Sequence, residues 1–138
     1  MTAELPHWPD GTVAILATGA GAPHAIPVST IVRAGPRTIL LALGSRRESL
    51  ARLREEPRCA LAIHAEDLTI TVHGHAEVIN DLGRVVAVRV DVDEIQNHMK
   101  PDFTIDDGVA WHWTDETAAH ADAEVRAALQ ALVSPPRS

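Results

Sequence analysis

The sequence predicts a mainly β chain: a β-barrel or sandwich of six to seven short antiparallel strands with flanking helices. Short apolar runs rich in β-branched residues recur at near-regular spacing, tight turn signals separate them, and only two stretches carry helical periodicity. Composition agrees. Hydrophobic residues make up 46% of the chain and aromatics only 3%, so the core must be built from Val, Ile, Leu and Ala, which suit a sheet.

In chain order, residues 1–10 form a polar lead-in, with Trp8 packing over the end of the domain. Residues 12–18 (TVAILAT) read as the first strand, and the GAGAP run at 19–23 as a hairpin turn. Residues 24–33 (HAIPVSTIVR) read as one second strand; Pro27, which cannot donate to a ladder, calls for an edge, a bulge or a backbone group facing a ligand. Gly35 and Pro36 turn the chain into 38–43 (TILLAL). Residues 44–57 (GSRRESLARLREEP) then form a basic helix starting near Arg46, with Ser45 and Glu48 as a capping box and Leu50 and Leu53 as an apolar stripe that Pro57 ends. The strands 59–63 (CALAI), 69–79 (TITVHGHAEVI) and 84–92 (RVVAVRVDV) follow, and Gly74 marks a bulge or a close backbone approach within the second of these. A loop over 98–108 leads to a short strand at 109–113 (VAWHW). Residues 115–133, with Val125, Leu129 and Leu132 at helical spacing, form a C-terminal amphipathic helix, and 134–138 a tail.

The length of 138 residues fits one domain spanning the chain, able to bury on the order of two thirds of its unfolded surface. A single cysteine, Cys59, excludes an intramolecular disulfide, and the N-terminal residues lack the basic and apolar regions of a signal peptide, so a cytoplasmic protein is expected. No apolar run approaches the ~20 residues of a membrane helix. The net charge of −7 argues against nucleic acid as a partner. The basic helix stands against this background: five of the twelve basic residues lie between Arg46 and Arg58. A helix N-terminus adds free amides and about half a positive charge, so Ser45, Arg46, Arg47 and Ser49 form a candidate anion site, with phosphate the natural ligand and a merely solvated basic face the alternative. Residues 91–124 carry ten acids and one lysine, an acidic surface set against that helix.

The order TVAILAT, glycine turn, AIPVSTIV, TILLAL, Ser-Arg-Arg-x-Ser, Leu-Arg-x-x-Pro-Arg, CALAI and Val-x-Gly-x-Ala-x-Val (VHGHAEV) resembles the pyridoxamine 5′-phosphate oxidase-like family of flavin-binding split β-barrels. The resemblance covers roughly residues 11–92. It implies a Greek-key split barrel and a homodimer binding FMN, or the deazaflavin F420 in some branches, in a groove shared by two subunits. By position it assigns the flavin phosphate to residues 45–52. Arg46 lies in that segment, Arg47 matches a usually basic position, Ser49 stands where relatives often carry lysine, and Arg52 replaces a common asparagine. It places the ring near Val28, Ser29, Ala42 and Leu43, with the second subunit supplying the segment at Leu68 and Thr69 and a tryptophan, Trp111 or Trp113. An oxidoreductase acting on a small molecule follows, its catalytic residues unassigned; the alternatives are an F420-dependent reductase, or a flavin- or haem-binding dimer without turnover. The vitamin-salvage oxidase of the family uses tyrosine toward its phosphorylated substrate, and this chain has no tyrosine, so a different substrate is expected.

Other groupings are weaker. His73 and His75 share a strand face and His64 lies on the preceding strand, a spacing used by metal sites, but no carboxylate partner is evident and they read as pocket or interface residues. Ser29 and Ser45 lack an adjacent histidine, which argues against a serine nucleophile. Cys59, before an apolar run, reads as buried and inert.

Overall fold

Residues 3–133 are described by the computed structural model. Their elements are β1 (Ala14–Thr18), β2 (His24–Val28), β3 (Val32–Gly35), β4 (Thr38–Gly44), α1 (Glu48–Glu55), β5 (Arg58–Ala65), β6 (Leu68–Asp81), β7 (Val85–Asn97) and α2 (Glu116–Ala131). All seven strands join one antiparallel sheet in the order β2-β1-β5-β6-β7-β4-β3. β5, β6 and β7 form a meander, and β4, reached across α1, returns beside β7; this is a Greek key. The sheet wraps one main apolar core, giving the split barrel that the family resemblance implies.

Alternation sets which side chains point inward. Leu16 of β1, Ile39 and Leu41 of β4, Leu61 and Ile63 of β5, Val72 of β6 and Val88 of β7 are fully buried. α1 adds Leu50 and Leu53 to the same cluster. The long β6 serves both halves, pairing β5 as far as His75 and β7 as far as Asp81. Its register shifts between His73 and Gly74, and a Cβ at Gly74 would meet the Asp91 carbonyl and Val90, so the bulge and the close backbone approach coincide there. Pro27 lies in β2 on the sheet edge, where its missing N–H costs no ladder bond. On the outer face of β3, β4 and β7, the residues Val32, Leu40 and Ala87 form a second, smaller cluster closed by Leu129 of α2.

Four expectations need correction. Residues 24–33 are two strands, because β2 pairs β1 at one end of the sheet and β3 pairs β4 at the other; the chain crosses between them at residues 29–31. Ser45 does not cap α1. The helix begins at Glu48 with an extended Arg47 as N-cap and no side-chain capping bond, while the Ser45 amide donates to the Arg84 carbonyl at 3.0 Å. Residues 109–113 form no strand: that stretch finds no ladder partner and is held by single contacts, such as Trp111 Nε1 donating to the Gly11 carbonyl at 2.8 Å. The lead-in is more than a polar arm, since Leu5 is buried in the core, its amide donating to Pro36 at 2.8 Å and its carbonyl accepting from Arg33 at 2.9 Å. Trp8 does pack on the core and donates to the Ile31 carbonyl at 3.0 Å. The expected tail at 134–138 lies outside the described residues. Among the described residues no helix is long and apolar enough to cross a membrane.

Candidate functional site

The crossing between β2 and β3 opens a groove of about 470 Å³ on the outside of the barrel. Its floor is the segment Val28, Ser29 and Thr30 together with Ala42, Leu43 and Gly44 at the end of β4. These two segments are tied by Thr30, whose Oγ1 accepts from the Ala42 amide at 3.1 Å and donates to the Ala42 carbonyl at 3.4 Å. The Ala42 amide is therefore satisfied within the chain. Ala118, Ala121, Asp122 and Val125 of α2 form the facing wall, with Trp113 beside them. Small alanines keep the helix close to the floor without filling the space between. A groove of this size, mostly apolar with a few polar groups, has the character of a small-molecule site.

Arg47 stands at one end of this groove. Beyond it lies an open basic hollow of about 610 Å³, lined by Gly44, Ser45, Arg46, Arg47, Gly83 and Arg84 and joined to the groove through Gly44 and Arg47. The β4–β7 ladder makes this hollow. It pairs Gly44 with Val85 and so brings Arg84 alongside the turn before α1. A Cβ on Gly44 would press against the Arg47 side chain at 3.3 Å, so the glycine leaves that arginine its place. Among the described residues the ion pairs of other arginines are Arg52 with Glu48, Arg58 with Glu56, Arg89 with Glu77 and Asp91, and Arg126 with Asp122. Arg46, Arg47 and Arg84 enter none of them. Three unneutralised guanidinium groups around one hollow are a donor set for phosphate.

Of the residues singled out in the sequence, Val28, Ser29, Ala42, Leu43 and Arg47 come together in the groove, and Ser45 and Arg46 in the adjoining hollow. The others lie elsewhere. Ser49 is 1% exposed and shares a 3.2 Å hydrogen bond with His24 Nε2. Arg52 donates to the carbonyls of Ala20 (2.5 Å) and Ala22 (2.7 Å), fastening the β1–β2 turn, and to Glu48 at 2.7 Å. That hydrogen bond and the charge of Arg52, with a smaller contribution from His24, hold the Glu48 carboxyl below its usual value. Leu68 and Thr69 are buried at the β5–β6 turn, away from the groove. Trp113 reaches the groove from this same chain and meets Trp111 edge to face, with ring centroids 5.3 Å apart. Arg84, Asp122 and Arg126 had no site signal in the sequence: Arg84 reads as the start of a strand, though it lies in the turn just before β7, and Asp122 reads as part of an acidic surface.

The histidines do not gather. His73 contacts Gln96 at 3.3 Å and His75 contacts Asp93 at 3.1 Å, and among the described residues no group of three or more His, Cys, Asp or Glu side chains could hold a metal ion. Burial pushes the Cys59 thiol up to about 12, with Asp93 adding to the effect.

Comparison with known proteins follows the same outline. The family described as Pyridoxamine 5′-phosphate oxidase matches residues 6–105. Curated protein sequences give no match. Among solved structures, HupZ from Group A Streptococcus superposes with a TM-score of 0.57 at 13% identity, over 72% of this chain and 90% of that one. An F420 reductase superposes with a TM-score of 0.54 at 14% identity, over 62% of this chain and 90% of the other. A haem-binding protein from Mycobacterium smegmatis gives 0.56 at 19% identity, over 69% of this chain and 52% of its own. At these identities the likeness is one of fold. α2, with Asp122 and Arg126, lies beyond the family match.

Proposed function

The chain belongs to the pyridoxamine 5′-phosphate oxidase family, and from that premise we propose that it is a cytoplasmic FMN-binding oxidoreductase acting on a small molecule. One observation carries the reading: an apolar groove shares Gly44 and Arg47 with a neighbouring hollow lined by three arginines that enter no ion pair among the described residues. A planar ring with a phosphate tail has that shape and charge. FMN, when bound, supplies the electron transfer. The chain's own residues do the rest.

Arg46, Arg47 and Arg84 take the phosphate, aided by Ser45, with charge-assisted bonds at the open end. Val28, Ser29 and Leu43 support the ring, while the Thr30 bridge to Ala42 keeps the two floor segments at fixed separation. Trp113 and the alanines of α2 exclude water from the opposite side. Ser49 and Arg52 act at one remove: one holds α1 against His24, and the other holds the β1–β2 turn. A second copy of the chain, bringing the segment at Leu68 and Thr69, would complete a homodimer. The same hollow, open to solvent, also suits the longer anionic tail of F420, which makes an F420-dependent reductase the second reading.

The test is an absorption spectrum of freshly purified protein, before and after denaturation, followed by titration of FMN and F420 into any apo fraction. FMN released or bound at near one per chain supports the reading; binding of F420 alone moves it to the second; a Soret band or no binding of either overturns both.

A further inference from the structure

The wall opposite the floor carries a charged group that neither the ring supports nor the phosphate donors employ. Asp122 lines the groove, and its side chain is 12% exposed. Its Oδ2 accepts from Arg126 Nη1 at 2.9 Å. Arg126, itself 14% exposed, donates through Nη2 to the Ser29 carbonyl at 3.1 Å. The carboxylate is thus tied, through one guanidinium, to the segment that forms the floor. Among the described residues no donor reaches Asp122 Oδ1.

The Asp122 carboxylate stands on the groove wall beside Ala118, Ala121 and Val125, with Oδ1 accessible to solvent. Arg126, bonded to Oδ2 and to the Ser29 carbonyl, fixes its rotamer. The remaining oxygen is an acceptor that no protein donor occupies, and an N–H donor of a ligand seated in the groove would take the place of solvent there.

We propose that Asp122, positioned by Arg126, is a specificity residue of the groove, its Oδ1 accepting a hydrogen bond from an imide-type N–H on the edge of the bound planar ring. The proposal rests on the flavin reading above: flavin and deazaflavin rings carry such an N–H at N3. The charge layout agrees with it, since the arginine hollow favours an anionic tail and the α2 wall favours a donor edge. A ring whose edge bears carboxylates, as haem does, would meet Asp122 with like charge.

The test compares FMN with N3-methyl-FMN, which lacks the donor. Both are titrated into the wild-type protein and into an Asp122→Leu/Arg126→Met double variant, which removes both charges together so that neither is left buried and unpaired. The wild type should bind FMN about tenfold or more tightly than the methylated form. The double variant, checked for an intact melting transition, should bind the two alike. Discrimination that persists in the variant, or FMN binding without discrimination in the wild type, overturns the proposal and leaves the flavin reading standing; failure of both flavins to bind the wild type overturns both. A second readout needs no variant: the N3 proton of bound ¹⁵N-labelled FMN should be protected from solvent exchange, and a freely exchanging N3 proton overturns the proposal.

Discussion

The two sides of the groove are built by different means. The floor belongs to β4 and the β2–β3 crossing, and β4 is locked into the ladder with β7 from Thr38 to Gly44, over a core in which Ile39, Leu41 and Val88 are fully buried. The wall is a single alanine-rich helix, capped by Asp115 accepting from the Ala118 amide at 3.2 Å and seated by one buried residue, Leu129. The floor can move only with the barrel. The wall can loosen alone, because little apolar surface and one arginine bond to Ser29 hold its middle. The floor also lies within the family match and the wall outside it, so the floor is the part shared with the family and the wall is where this chain can differ.

Paired core truncations test that contrast. Leu61 of β5 and Leu129 of α2 are equally buried, at 0% exposure. Leu61→Ala should cost about 2–5 kcal/mol and lower the melting temperature seen by every probe together. Leu129→Ala should cost the barrel about 2 kcal/mol or less, while the amides of α2 lose their exchange protection and those of β4 and β7 keep theirs. Equal, global effects from both variants would abolish the distinction between floor and wall.

A smaller effect sharpens the picture of the barrel side. Cys59, in β5, has its thiol pushed from 9.0 up to about 12 by burial. The folded pKa is raised above the unfolded one, so this contribution to stability is complete below pH 9 and is lost as pH rises through the window to about 12. The slope should be on the order of 1 kcal/mol per pH unit at most, and a Cys59→Ala protein should lack it. Denaturant titrations of the two proteins at pH 8 and pH 10 would reveal it. A thiol that reacts at once with a disulfide reagent at pH 8 in the native state would contradict the burial.

Much of the barrel was legible because its strands are short and apolar: TILLAL and CALAI are continuous apolar runs, and RVVAVRV is rich in valine. The break after Val28 was hidden, since Ser29 and Thr30 are flanked by apolar residues on both sides and carry no glycine; only Pro27 hinted that the stretch was not one central strand. The run VAWHW is apolar like a strand but joins no ladder, and contacts such as that of Trp111 with Gly11 hold it instead. The family pattern named Val28, Ser29, Ala42 and Leu43 together, and the fold brings these four to one groove. The arginine hollow was readable only in half, because Arg84 is brought to Arg47 by a ladder between residues some forty positions apart, and no local window contains both. The α2 wall was legible as a helix but not as part of a site, since what it covers depends on how Leu129 docks.

The central claim, that groove and arginine hollow together hold a phosphorylated flavin, is tested most directly by titrating the protein with FMN and with riboflavin, which differ only in the phosphate. FMN should bind at least about tenfold more tightly, with an affinity that falls as salt rises, and the margin should vanish in an Arg47→Ala/Arg84→Ala variant. Equal binding of the two flavins, or a margin that survives the loss of both arginines, would contradict it.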